Sequence, residues 1–205
     1  MSMTLKELEA LMDRNGIEER IRQYVRQCIS FHNWAAPGLL IGVFMVDLAL
    51  EKLGATSNDK LYAVAETSKC APDAVQVVTH ATVGNHRLRI IESGRFSITL
   101  NRPSSEGEAE GIRVYVDAAK IKNYPLLNQW YTNDPAFKHV TDKDVIYDDI
   151  LRGGRRILSW EPVRVKVPPK GQWESVTCPV CNEVVPDNLL KNGTCVTCAA
   201  TSYYE

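Results

Sequence analysis

The chain has 205 residues, with 24 Lys and Arg against 25 Asp and Glu, a formal net charge of −1 and 44% hydrophobic residues. That length fits one domain of ordinary size plus a small appendage. The balanced charge gives no electrostatic footprint for nucleic acid or for an anionic membrane surface.

The opening Met1-Ser2-Met3-Thr4-Leu5-Lys6-Glu7 lacks an apolar run behind a basic start. The expectation is therefore a cytoplasmic protein without a signal peptide. In that compartment cysteines serve as metal ligands or reactive thiols rather than as disulfides. Leu5, Leu8, Leu11 and Met12 recur at helical spacing, and Asn15-Gly16 stops that helix. A second helix is predicted from Ile17 to Ser30, with Ile17, Ile21, Tyr24, Val25 and Cys28 on one face. Cys28 is read as a core residue, because a free cysteine packs like a small hydrophobe.

Phe31-His32-Asn33-Trp34-Ala35-Ala36-Pro37-Gly38 then forms a polar junction, and Pro-Gly lets a new element begin. From Leu39 to Leu50 only Asp47 interrupts a run that is apolar around the whole helical wheel. Such a helix is buried on most sides, and twelve residues are too few to span a bilayer. Leu53-Gly54 caps it. Leu61 to Glu66 reads as a short strand, and Pro72 places the start of another helix near Cys70. A thiol at a helix N-terminus is expected to have a lowered pKa, which favours the thiolate, the form that binds metals and attacks electrophiles.

His80 and His86 flank Gly84. Arg87 to Ile91 and Phe96 to Leu100, separated by Glu92-Ser93-Gly94-Arg95, look like a hairpin. Ser104 to Gly111 reads as a loop, Ile112 to Val116 as a strand, and Tyr124 to Tyr131 and Asp142 to Leu151 as short helices in which Trp130 and Tyr131 pack. Ile157 to Val167 is strand-like, and Pro168-Pro169-Lys170-Gly171 reads as a linker. Helices mixed with hairpin-connected strands predict an α+β class with a mixed sheet covered by helices. The expected domains are residues 1–170 and 171–205.

The tail carries the most specific motif. Cys178-Pro179-Val180-Cys181 and Cys195-Val196-Thr197-Cys198 are two Cys-x-x-Cys pairs with thirteen residues between them, close to the spacing of four-cysteine zinc sites. Four thiolates close a tetrahedron, which is the arrangement of a structural ion rather than a catalytic one. Zinc is expected, with iron in a rubredoxin-like site as the rival. About thirty residues cannot build a useful core, so metal binding must supply much of the folding free energy of this segment.

With these motifs in view, the chain resembles the FmdE family of formylmethanofuran dehydrogenase accessory proteins. The resemblance rests on Phe31-His32 with Ala36-Pro37-Gly38, on Cys70 with Asp73-Ala74-Val75-Gln76, on the Thr79 to Leu88 segment, and on the four-cysteine tail. It implies a thioredoxin-like α+β core, a metal-binding site at His32 and Cys70, and a treble-clef-like zinc finger. It also implies an accessory role beside a molybdenum or tungsten enzyme of one-carbon metabolism. Where the family reads Phe-His-Gly-His, Asn33 and Trp34 replace the glycine and the second histidine. Where it commonly reads Thr-Gly-Cys-Thr, this chain has Thr79-His80-Ala81-Thr82. His80, beside the position of the missing cysteine, is the expected third ligand of a second zinc or similar divalent ion in the core, since imidazole and thiolate both suit zinc.

Two functions follow as expectations. One is a zinc-binding accessory protein, a homodimer with a protein partner in a one-carbon or metalloenzyme complex. The other is a metal-dependent enzyme or thiol/redox protein acting on a small one-carbon or thiol substrate. Nothing resembles a pterin or nucleotide site, and the lysines of the tail are scattered among acids, which disfavours nucleic acid.

Overall fold

The computed structural model describes residues 3–138, 143–168 and 171–200. The chain divides into two compact units, Met1–Val167 and Pro168–Glu205.

The first unit opens with α1 (Leu5–Arg14), which starts on a reciprocal cap between Thr4 and Glu7, the Thr4 N–H donating to the Glu7 carboxylate at 2.7 Å. The second helix, α2 (Glu19–His32), ends where Asn33 turns into the left-handed region at φ 70°. Then comes α3 (Pro37–Leu53), with proline in its first turn and Gly54 at φ 60° as its stop. Every residue of α3 from Pro37 to Leu50 is buried, as a helix apolar all round requires.

The remaining elements are β1 (Tyr62–Ala65), α4 (Ala71–Thr79), β2 (Leu88–Ile90), β3 (Ser97–Asn101), β4 (Glu108–Val116), α5 (Pro125–Tyr131), α6 (Lys143–Gly153) and β5 (Leu158–Lys166). Their strands form one sheet in the order β2-β1-β3-β4-β5. β1 and β2 run parallel through the α4 crossover, and the other neighbours are antiparallel. α3 packs against β3 and β4 on one side and against α2, α4 and α6 around the rest of its circumference. This is the predicted α+β class, a mixed sheet covered by helices.

The buried carboxylate of Asp47, the one charge on α3 before its last turn, is met by Arg155 from a short 3-10 turn, whose Nε donates at 2.7 Å, and by Arg20 of α2. A charge inside a helix that is otherwise apolar is tolerated because it is paired.

One connection differs from expectation. Arg87–Ile91 and Phe96–Leu100 are not a hairpin, because β1 lies between them: Ala63 pairs with Leu88 on one side and with Leu100 on the other. Ala63, Val64 and Ala65 are buried, so β1 needs a ladder on both edges. The polar Glu92–Arg95 segment crosses the end of β1, where the Ser93 N–H donates to the Glu66 carbonyl at 3.1 Å. β4 also begins earlier than expected, because Glu108 to Gly111 pair with Lys166 to Val163. Their alternation of exposed and buried residues fits a strand wet on one face. Trp130 and Tyr131 pack against the core as read from the sequence.

The second unit has two short antiparallel ladders, β6 (Ser175–Thr177) with β7 (Val184–Pro186) and β8 (Leu190–Lys191) with β9 (Thr194–Cys195), followed by the single turn α7 (Val196–Ala199). Among its described residues only Cys178 and Cys195 are buried. No described helix of either unit is long and apolar enough to cross a membrane.

Candidate metal centre and the His32–Cys70 region

In the tail, the turn from β6 to β7 presents Cys178 and Cys181. The Cys178 N–H donates to the Glu183 carbonyl and the Asn182 N–H to the Cys178 carbonyl, each at 2.9 Å, while Asn182 at φ 60° closes the knuckle. Cys195 caps α7, its Sγ accepting from the Cys198 N–H at 3.4 Å, and its own N–H donates to Cys178 Sγ at 3.4 Å. One ladder's turn and one helix start thereby face each other across four sulfurs.

All four Sγ atoms lie within 4.8 Å of one another, with Cys181 and Cys195 at 4.0 Å. Four thiolates about 2.3 Å from an ion stand about 3.8 Å apart at the corners of a tetrahedron, so this cluster fits a closed metal site. Backbone N–H groups of Cys195, Cys181 and Val180 bring Cys178 down to about 6. Cys198, hydrogen-bonded to Cys195 and crowded by the other thiols, is pushed up to about 12. One thiolate therefore forms readily and a fourth does not without a positive charge among them. Asp187 stands outside the cluster, its Oδ1 accepting from the Glu174 and Asn188 N–H groups at 3.0 and 2.8 Å.

In the first unit, His32 is the last residue of α2 and its Nδ1 lies 2.6 Å from Oδ2 of Asp73 in the first turn of α4. The Trp34 ring lies 5.7 Å from the imidazole, tilted by 35°. Cys70 sits at the N-cap of α4 with φ 49° and ψ −53°. The Ala71 N–H donates to the Lys69 carbonyl at 2.5 Å, closing a three-residue γ-turn centred on Cys70. That conformation is rare and costs energy, and strain of this kind gathers at functional sites.

Space for Cys70 comes from α3. A Cβ placed on Gly38 would stand 3.2 Å from both Cβ and Sγ of Cys70, and one on Gly42 would meet Ala71 Cα and Ala74 Cβ at 3.1 Å. Burial and the nearby Asp73 carboxylate raise the Cys70 thiol, Lys69 opposing them. The expected lowering at a helix N-terminus is thus reversed, because the thiol is half-buried beside a carboxylate. Cys28, fully buried one turn before His32, is pushed up to about 12 by burial and then by Asp73.

His80 is exposed and caps the opposite end of α4 in the left-handed region at φ 56°. Nine helical residues separate it from Cys70, about 14 Å at 1.5 Å per residue. The fold therefore does not bring His80 together with His32 and Cys70. Among the described residues, the four tail cysteines are the one group of three or more His, Cys, Asp or Glu with ligand atoms this close. Asp73, which holds His32, and Gly38, which makes room for Cys70, were missed by sequence reasoning. The signal for Gly38 was the Gly38-x-x-x-Gly42 spacing on a buried helix opposite Ala71 and Ala74.

These features define an α+β protein with a mixed five-stranded sheet and a cysteine cluster able to hold a metal ion. The family described as "FmdE, Molybdenum formylmethanofuran dehydrogenase operon" matches residues 31–166, and the chain belongs to this FmdE family. A solved structure of an FmdE-like protein of tungsten formylmethanofuran dehydrogenase, from Syntrophus aciditrophicus, is similar to it. The two share 32% identity over 90% of this chain and 95% of that one, with a TM-score of 0.74. A curated relative from Archaeoglobus fulgidus, described as a probable S-adenosyl-L-methionine-binding protein, is 26% identical over 91% of this chain. The chain spans about half of that relative, 55% of its length.

Proposed function

We propose that this chain is a cytoplasmic, homodimeric, zinc-binding accessory protein that serves a one-carbon metalloenzyme complex. Cys178, Cys181, Cys195 and Cys198 hold a structural zinc, and His32 and Cys70 hold a second zinc or similar divalent ion in the core. The observation that carries the reading is the cluster of four sulfurs within 4.8 Å in a unit that buries almost nothing else among its described residues. Such a unit draws its folding free energy from the ion, on the order of 10–16 kcal/mol for comparable zinc modules. The two compact units are then separately folding domains, the second depending on metal.

When bound in the core, a zinc ion supplies an electrophile that can activate a water molecule. His80 has no part in this site, since α4 holds it a helix length away. The strained turn at Cys70 favours a second reading, in which the core is a metal-dependent or thiol enzyme acting on a small one-carbon or thiol substrate. S-adenosylmethionine, the ligand in the description of the Archaeoglobus relative, is the first compound to assay for binding.

The test is metal content by mass spectrometry of the full chain and of its His32→Ala, Cys70→Ala and Cys178→Ser variants. Two ions in the native chain, falling to one in each variant, are expected. One ion that survives Cys178→Ser would overturn the tail site. One ion that only Cys178→Ser removes would overturn the core site and leave the accessory reading to the tail.

A further inference from the structure

The His32–Asp73 pair joins the end of α2 to the first turn of α4, residues 41 apart in sequence. Both oxygens of Asp73 are engaged: Oδ2 meets His32 Nδ1 at 2.6 Å, and Oδ1 accepts from the Gln76 side-chain amide at 3.3 Å. Gln76 in turn accepts from the Val83 N–H at 3.5 Å through its own carbonyl oxygen. The carboxylate is thus oriented from behind by its own helix and by the segment that follows it. A carboxylate only accepts hydrogen bonds, so the proton of a neutral His32 must reside on Nδ1. Nε2 is then left with its lone pair. It makes no hydrogen bond with the described residues, while the Trp34 ring lies against the imidazole at 5.7 Å. One nitrogen is committed, the other is a free donor, and ring rotation is limited on two sides.

Resting on the core-metal reading above, we infer that Asp73 is the positioning residue of that site. It fixes His32 in the Nδ1–H tautomer and presents Nε2 as the donor atom for a divalent cation. Orientation of a ligating imidazole by a carboxylate on its other nitrogen raises its basicity and removes the cost of selecting tautomer and rotamer at binding. The arrangement matters more here than where two histidines share a site. Trp34 occupies the position of the second one, so His32 is the only imidazole of the Phe31–Trp34 motif. Asp73 needs no contact with the ion to do this, and its loss acts through His32.

The experiment uses the full chain carrying one equivalent of zinc and reads the imidazole nitrogens by long-range proton–nitrogen NMR at a pH where histidine is neutral. His32→Gln identifies the signals. The expected native pattern is protonated Nδ1 with unprotonated Nε2. Asp73→Ala moves His32 away from this tautomer and weakens a second equivalent of zinc by about 10- to 100-fold in chelator competition. Asp73→Asn, whose carbonyl oxygen still accepts from Nδ1–H, restores the tautomer and part of the affinity. A native His32 protonated on Nε2 overturns the inference, as does an Asp73→Ala chain that folds with tautomer and zinc affinity unchanged. If Asp73→Ala does not fold, the native spectrum and Asp73→Asn still decide. A native chain that takes up no second zinc refutes the core-metal reading, and with it the ligand role given to Nε2, while the tautomer separately reports whether Asp73 orients the ring.

Discussion

Replacing Gly38 by alanine tests whether α3 and the Cys70 turn touch as closely as the geometry requires. The added Cβ stands 3.2 Å from Cys70 Cβ and Sγ and 3.4 Å from Phe96 Cζ. The Sγ can rotate, whereas the Cys70 Cβ is tied to a γ-turn at φ 49° and cannot retreat without opening the Ala71-to-Lys69 hydrogen bond. Overpacking of this kind costs about 1–3 kcal/mol, and the better helix propensity of alanine returns up to about 1 kcal/mol. The expected net loss is about 1–2 kcal/mol, which for a unit of this size lowers Tm by roughly 3–6 °C. Differential scanning calorimetry reads the loss, and the iodoacetamide labelling rate of Cys70 should rise as its thiol is displaced. Gly84→Ala is the control, because its nearest neighbour, Thr82 Oγ1, lies 4.0 Å away and its Tm should stay within about 1 °C. A Gly38→Ala chain with unchanged Tm and unchanged labelling would refute the close approach.

Two further perturbations address the charges buried in the first unit. Burial pulls the Glu66 carboxyl upward, but Arg113 (Nε at 2.5 Å), Ser97 and Arg95 outweigh it and hold the group below the usual carboxylate range. A depressed folded pKa contributes stability above the unfolded value, about 4.3, that is lost as pH falls through the folded value. Urea unfolding between pH 6 and pH 3 should therefore show a shallower acid loss for Glu66→Gln than for the native chain; parallel curves would remove Glu66 from the account. Arg155→Met should cost about 2–4 kcal/mol, because it strips the main partner from the buried Asp47 and leaves only the half-exposed Arg20. A shift in the urea midpoint equivalent to less than about 0.5 kcal/mol would show that Arg20 suffices. Asp47→Leu combined with Arg155→Met should recover most of the loss.

What could be read from sequence divides along the distance between interacting residues. α3 was legible because one composition, apolar around the wheel, has one outcome. The tail was legible because two Cys-x-x-Cys turns each fix a pair of sulfurs locally, leaving only their meeting to the fold. The false hairpin arose where adjacency in sequence was taken for adjacency in space. Nothing local in Arg87–Leu100 announces that β1, more than twenty residues upstream, takes the place between the two strands.

The core site was half legible for the same reason. His32 and Cys70 stood out as residue types at element boundaries, and both lie at helix ends as expected. His80 was drawn to them by a family pattern in which its neighbour carries a ligand. In this chain its left-handed conformation ends α4, and a helix end cannot also reach the helix start. The residue that does meet His32 is Asp73, within the Cys70–Gln76 motif but indistinguishable in sequence from an acidic first-turn residue serving the helix dipole. Only the packing of α2 on α4 reveals which imidazole its carboxylate accepts from. The exchange of a second histidine for Trp34 therefore does not leave His32 unsupported. It shifts the burden of orienting that ring onto the 2.6 Å bond to Asp73 and the tilted contact with Trp34.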